Sequence, residues 1–188
     1  MTITKLDVTQ ALMDEHRIIE RMLRVLIGAA GRVERGEEVS PSVFARGLDF
    51  IRNFADRWHH GKEEDLLFAA LEKHGLPRVG GPLAVMLLEH EEGRKYVRGM
   101  AGALELWQEG DKSAAKTVAR NARGYCDVLS RHIPKEDQIL YPMGEDMLPE
   151  GEKKELLAAY AGAERQQGEG KGREYLGLVE ELEKELAG

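Results

Sequence analysis

VARNARGYCDVLSRHIPKEDQILYPM, residues 118–143, decides the fold. Within it Val118, Ala122, Tyr125, Leu129, His132, Glu136, Ile139 and Met143 recur in alternating steps of four and three. That spacing keeps one face of an α-helix turned inward, and it is incompatible with the two-residue alternation of a strand. Two of the inward positions are an imidazole and a carboxylate one turn apart, so the stripe is not purely apolar.

Working outward, the same spacing recurs three more times. Over roughly 8–35 it runs through Leu12, His16, Ile19, Leu23, Leu26 and Ala30. After Ser40-Pro41, an N-cap followed by proline in the first turn, it runs through Leu48, Ile51, Ala55, His59, Glu63, Leu66 and Ala70 and stops at Lys73-His74-Gly75. From Pro82 it runs through Leu83, Leu87, His90, Arg94, Val97, Ala101 and Leu104 until Gly110-Asp111 breaks it. No segment reads as a strand. The expected class is all-α, and short links between long helices favour an up-down-up-down four-helix bundle over 1–148.

Residues 149–188 differ in kind. Pro149 interrupts the chain, GEGKG at 168–172 is a break, and the last segment offers a narrow stripe of Tyr175, Leu178, Leu182 and Leu186. With six Lys/Arg against ten Asp/Glu, this is an acidic helical extension expected to pack on the bundle or on a partner, including a second copy in a homodimer.

Composition excludes several chemistries. The chain has 188 residues, one Cys and six His. A lone Cys126 leaves no disulfide framework and no thiolate-rich zinc or iron–sulfur site, so a metal here needs imidazole and carboxylate ligands. A net charge of −7 argues against nucleic acid or an anionic membrane as partner. No apolar run approaches the ~18 residues of a membrane span, and the first residues resemble neither a secretory signal nor a transit peptide. A cytoplasmic location is expected.

Two segments align without a gap: His59-His60-Gly61-Lys62-Glu63-Glu64-Asp65-Leu66-Leu67-Phe68 and His132-Ile133-Pro134-Lys135-Glu136-Asp137-Gln138-Ile139-Leu140-Tyr141. Both read H-x-x-K-E-acid-x-aliphatic-aliphatic-aromatic. His and Glu four apart share a helix face and can hold one ion or adjacent ions. The other two helices each place a histidine, His16 and His90, on the inner stripe after a Glu. A seam takes about two of seven positions, so four histidines on four seams by chance is roughly 1 in 150. Burying them with two carboxylates is expensive unless a cation compensates. Ligand type and architecture favour a pair of irons, with Glu63 and Glu136 bridging and an oxo or hydroxo group completing the bridge.

The series E-H at 15–16, H-H-x-x-E-E at 59–64, E-H-E at 89–91 and H-x-x-x-E-D at 132–137 resembles the hemerythrin-like, HHE cation-binding family over about 1–147. The resemblance implies a non-haem di-iron centre in a four-helix bundle, with His16, His59, Glu63, His90, His132 and Glu136 as ligands. Two departures from the oxygen-carrying members stand out. Those carriers supply a second histidine one turn after the first on the third helix, where this chain has Arg94. Their fourth-helix motif ends with an Asp one residue further on, where this chain has Glu136.

His60 is the candidate for the missing imidazole. About 100° around the helix from His59, it either reaches the metal from the flank or faces a neighbouring helix. Pro134 cannot donate a backbone hydrogen bond, so a kink or bulge is expected there. Arg94 either pairs with a carboxylate such as Glu91 or Glu64, puts charge over a bound ligand, or turns outward. Tyr125, Cys126, Trp58 and Trp107 read as core residues, and His74 as a helix C-terminal residue. The expected function is binding, sensing or reduction of O2, peroxide or NO; whether turnover occurs is not written in the residues. Iron storage, sensing or donation, and a structural metal in an interaction module, are the competing readings.

Overall fold

The computed structural model describes residues 6–168 and 170–187, and all its regular structure is helical. Helix α1 is Gln10–Glu34. Helix α2 covers 41–73: Pro41–Phe50 and Phe68–Lys73 are α-helical, and Ile51–His60 and Glu63–Leu67 between them are π-helical. Helix α3 is Pro82–Gln108. Helix α4 covers 114–147, with α-helical Ala114–Lys135, a π-turn at Glu136–Leu140, and Tyr141–Met147. Helices α5 (Glu150–Gln167) and α6 (Lys171–Ala187) follow.

The helix ends follow from local chemistry. Asp7 Oδ1 accepts from the backbone N–H groups of Thr9 and Gln10 and so opens α1. Ser40 Oγ accepts from Ser42 N, with Pro41 in the first turn of α2. Gly75 ends α2 at φ 100°, and Leu76 N reaches back to Leu71 O, the hydrogen bond that closes a helix on a left-handed residue.

Helices α1 to α4 form a closed ring of neighbours, α1–α2, α2–α3, α3–α4 and α4–α1. The closest seam is α3 against α4; a Cβ on Gly124 would lie 2.2 Å from the Tyr96 ring. The apolar core is split in two. One cluster is built around Leu26, Phe44, Phe54, Met100 and Ala122, the other around Leu12, Leu67, Phe68, Leu83 and Tyr141. Along α1 and α3 the chain passes from the second cluster to the first, and along α2 and α4 from the first to the second. The helices therefore alternate in direction, and each crosses the gap between the clusters at its His or His/Glu positions.

The short π-turns Glu63–Leu67 and Glu136–Leu140 both fall at this gap. Phe68 N donates to Glu63 O, and Tyr141 N to Glu136 O, five residues back rather than four. Each wide turn moves the following residues around the helix by about one position. The expected inward stripe therefore fails beyond it. Ile139 is 53% exposed while Leu140 is at 1%, and Leu67, Phe68 and Leu71 are fully buried where Leu66 and Ala70 are only partly so. Met143 likewise yields to Gly144. Proline is not the cause: α4 continues past Pro134 and bulges two residues later, and α2 bulges at the matched place with Gly61 instead.

The last two helices lie on the bundle. Leu156 and Tyr160 of α5 join the second cluster, and Tyr175, Val179 and Leu182 of α6 join the first. Arg21 pairs with Glu183, and Arg46 with Glu181 and Glu185. Among the described residues no helix is long and apolar enough to cross a membrane.

Candidate metal centre

The gap between the apolar clusters is filled by His16, His59, His60, Glu63, His90, His132 and Glu136, none more than 4% exposed. Their donor atoms gather in two groups, and within each group all atoms lie within 4.8 Å of one another. One group is His16, His59, Glu63 and Glu136; the other is His60, His90 and His132. The carboxylates touch both. Glu136 Oε2 is 3.2 Å from His16 Nε2 and 3.1 Å from His132 Nε2, and Glu63 Oε2 is 3.6 Å from His59 Nε2 and 3.7 Å from His90 Nε2.

Every one of the five imidazoles is held from behind through Nδ1. His16 meets Asp137 at 2.7 Å, His59 meets Glu15 at 2.9 Å, His60 meets Asp56 at 3.4 Å, His90 meets Glu64 at 2.7 Å and His132 meets Glu89 at 3.0 Å. An ionised carboxylate only accepts, so each Nδ1 carries a proton and each Nε2 is the nitrogen turned to the centre. The carboxylates are in turn backed by cations: Asp137 by Arg17, Glu15 by Lys62, Glu89 by Lys135, and both Asp56 and Glu64 by Arg94.

The aligned motifs explain this layout. In each, the Lys three after the first His backs the carboxylate that holds that same His: Lys62–Glu15–His59 and Lys135–Glu89–His132. In each, the acid after the Glu holds the lone inner His of the neighbouring helix: Glu64–His90 and Asp137–His16. Each closing aromatic then stacks on that His, Phe68 on His90 and Tyr141 on His16. In the sequence these lysines and acids carry no role beyond the shared pattern, except Glu64 as a partner for Arg94. The repeated E-H and K-E-acid spacing was the available signal.

The donors fit a cation better than they fit each other. His59 Nε2, His60 Nε2, Glu63 Oε2 and both oxygens of Glu136 are buried without a hydrogen-bond partner. His90 Nε2 and His132 Nε2 lie only 3.0 Å apart. That spacing is close to the edge of an octahedron with metal–imidazole bonds of about 2.1 Å. Burial, and next the charge of Glu136, pushes Glu63 well above the carboxylate range. Burial acts on Glu136 too, but His132 and His16 outweigh it and hold that carboxyl well below the range. Burial keeps His59 and His90 low and His60 down at about 3, the neutral form a ligand needs. Burial opposes protonation of His132 as well, yet Glu136 and Glu89 overcome it and bring it up to about 9, so a proton occupies the place where a cation would sit.

Residues 7–144 match the hemerythrin HHE cation-binding domain. The chain belongs to that family. Similar curated proteins include Uncharacterized protein Rv1995 of Mycobacterium tuberculosis and Uncharacterized protein Mb2018 of Mycobacterium bovis, each 23% identical over 176 residues, covering 93% of this chain and 68% of the relative. That similarity extends into the C-terminal helices beyond the family match. No solved structure matches.

The departures of this HHE domain from the oxygen-carrying pattern can be followed on α2 and α3. Arg94, in the position of the carriers' second histidine, points at no donor atom but clamps Asp56 and Glu64, with a further bond to Glu91. His60 comes in from α2 and stacks on His90 at 3.8 Å, so of its two expected orientations it takes the one facing the centre. His59 and His60 are both buried at the end of the π-helical stretch Ile51–His60. Tyr141 does more than fill the core: its hydroxyl donates to Glu63 Oε1 at 2.6 Å. Trp58 donates to Glu15 at 2.7 Å, Trp107 packs on Phe44, and Cys126 is fully buried. His74 caps the end of α2 beside Glu152, away from the centre.

Proposed function

We propose that this HHE domain holds two iron ions, one in each donor group, and binds or reduces O2, peroxide or NO there. His16 and His59 would hold one ion and His60, His90 and His132 the other, with Glu63 and Glu136 shared between them. The single observation that carries this reading is the pair of adjoining donor groups linked by two buried carboxylates, each within 4 Å of imidazole nitrogens from both groups. Five imidazoles and two carboxylates exceed what one tetrahedral zinc takes up, and no thiolate is near. Bound iron would supply the electrons and the Lewis acidity.

The chain's own residues do the rest. The Nδ1–carboxylate–cation chains fix each ring's tautomer and direction. Phe68, Leu67, Leu140 and Leu12, all buried, keep bulk water from the centre on one side. The Tyr141 hydroxyl donates to Glu63 Oε1 and so orients that shared carboxylate.

Metal analysis of the purified protein tests the reading. About two irons per chain is the expected result, and one zinc per chain would refute it. Optical titration then separates the modes: a reversible spectrum with O2 marks binding or sensing, many turnovers of added peroxide mark an enzyme, and ready transfer of iron to a chelator marks the storage or donation role instead.

A further inference from the structure

Each of the two aligned motifs uses a lysine to back a carboxylate, but the two lysines sit in different surroundings. Lys135, the partner of Glu89, is 37% exposed, whereas Lys62, the partner of Glu15, is 2% exposed. An ammonium withdrawn from water has to be compensated by the groups around it. Glu15 answers one side of Lys62, and the Trp58 ring lies 5.1 Å from Nζ. The rest comes from α5, with the Tyr160 ring at 5.9 Å and Glu164 Oε1 at 3.4 Å. Both are within reach of cation–π and ion-pair attraction. Tyr160 and Glu164 lie beyond the residues matched by the family, 7–144, so this cover comes from outside the matched domain.

The cover reaches the donor atoms in two steps. Glu15 is the acceptor that three groups share: Trp58 Nε1 and Lys62 Nζ donate to Oε1, and His59 Nδ1 to Oε2. Aromatic and acidic groups that hold Lys62 in place and exclude water strengthen its attraction for Glu15, because charges interact more strongly as the dielectric falls. Glu15 in turn fixes the ring of His59.

We propose that α5 is part of the metal centre: Tyr160 and Glu164 are positioning residues that act on His59 through Lys62 and Glu15. The inference rests on a metal being held by His16 and His59, as proposed above. The dependence is one-sided, since the lysine behind His132 is the half-exposed Lys135. By linkage, an ion in the first group tightens α5 to the same degree that α5 tightens the ion.

Ferrous iron is the probe, titrated anaerobically into the full chain against a competing chelator. Glu164→Lys sets a second ammonium beside Lys62 and is expected to weaken one of the two iron affinities about three- to tenfold. That is less than the roughly 10–100-fold usual for a group that touches a ligand, because Glu164 is 44% exposed. Glu155→Lys, the same charge change at an exposed position more than two turns earlier on α5 and beside Lys73, is expected to alter neither. Tyr160→Leu should weaken the same iron as Glu164→Lys. Tyr160→Phe keeps the ring face, loses only a hydroxyl buried without a partner, and should bind as wild type does. In His60→Ala, whose remaining iron is the one on His16 and His59, adding Glu164→Lys should reproduce the loss. Hydrogen exchange of the α5 amides should slow when the wild type takes up iron, and slow less in Glu164→Lys. Equal weakening of both irons, weakening of neither, or α5 exchange indifferent to iron overturns the inference while leaving the metal centre intact. A wild type that holds no iron overturns this inference and the proposed function together.

Discussion

Replacing Arg94 by methionine keeps the aliphatic stem and removes the guanidinium that two imidazole-orienting carboxylates share. Nε and Nη2 donate to Asp56 Oδ1 at 2.9 and 2.7 Å, and Nη2 to Glu64 Oε1 at 2.8 Å. Hydrogen bonds to charged groups contribute about 1.5–3 kcal/mol each. Arg94 is 27% exposed and Asp56 35%, so water recovers part of the loss, and the bond to the half-exposed Glu91 counts for almost nothing. The net expectation is about 2–3 kcal/mol off the unfolding free energy of the metal-stripped protein. Metal affinity, measured by chelator competition, should fall about 10–100-fold, as is usual when the partner that orients a ligand is lost. The acid limb should move as well. Burial alone would raise Glu64, but His90 and Arg94 outweigh it and hold it at about 2, so its contribution is present above 4.5 and lost as the pH falls toward 2. In Arg94→Met that contribution is smaller and its loss is complete at a higher pH. Wild-type metal affinity together with an unmoved unfolding midpoint would refute the clamp.

Three further outcomes follow from the same geometry. His60→Ala removes one donor from the three-imidazole group and should lower bound metal below the wild-type stoichiometry by elemental analysis; unchanged metal content and spectrum would take His60 out of the ligand set. Leu140→Ala should cost about 2–4 kcal/mol in chemical denaturation, against no more than about 0.5 for Ile139→Ala, and equal costs would mean the π-turn does not shift the register. Metal uptake at pH 7 should release protons, seen by calorimetry in buffers of different ionisation enthalpy. His132, held at about 9, stabilises the metal-stripped protein below its unfolded value of 6.5 and ceases to as the pH rises through 9, so apparent metal affinity climbs over that range.

The four helices were legible because apolar residues at three- and four-residue steps leave no other economical way to bury themselves. The inner donors were legible for the same reason, since His16, His59, His90, His132, Glu63 and Glu136 sit on those steps. What the pattern could not carry was a change in the pattern itself. A π-turn adds a residue without any composition of its own, so Ile139 and Leu140 look interchangeable until the hydrogen bond from Tyr141 N to Glu136 O is seen. The carboxylates behind the imidazoles were hidden differently. Glu15, Asp56, Glu64, Glu89 and Asp137 lie off the inner stripes, where acidic residues are ordinarily solvated; Asp56 reaches His60 one turn along its own helix, and only the packing of α1 on α2 and α4, and of α3 on α2 and α4, turns the other four toward Nδ1 atoms of another helix.

The near-symmetry of the centre says which parts are scaffold. Where the α2 and α4 motifs agree, the shared residues make the same contacts twice: Lys to carboxylate to first His, acid to the inner His of the neighbouring helix, aromatic over that His. Such duplicated contacts orient donors and by themselves cannot distinguish one ion from the other. The differences can. His60, Asp56 and Arg94 load one group with three imidazoles, while Tyr141 puts a hydroxyl on Glu63 where the matched Phe68 has none. One side thus carries a neutral-donor site open to a basic cavity, and the other a carboxylate-rich site closed by a stacked tyrosine. Two ions held so unequally would differ in charge compensation and in the number of positions left over: three imidazoles with two shared carboxylates leave one fewer than two imidazoles with the same carboxylates.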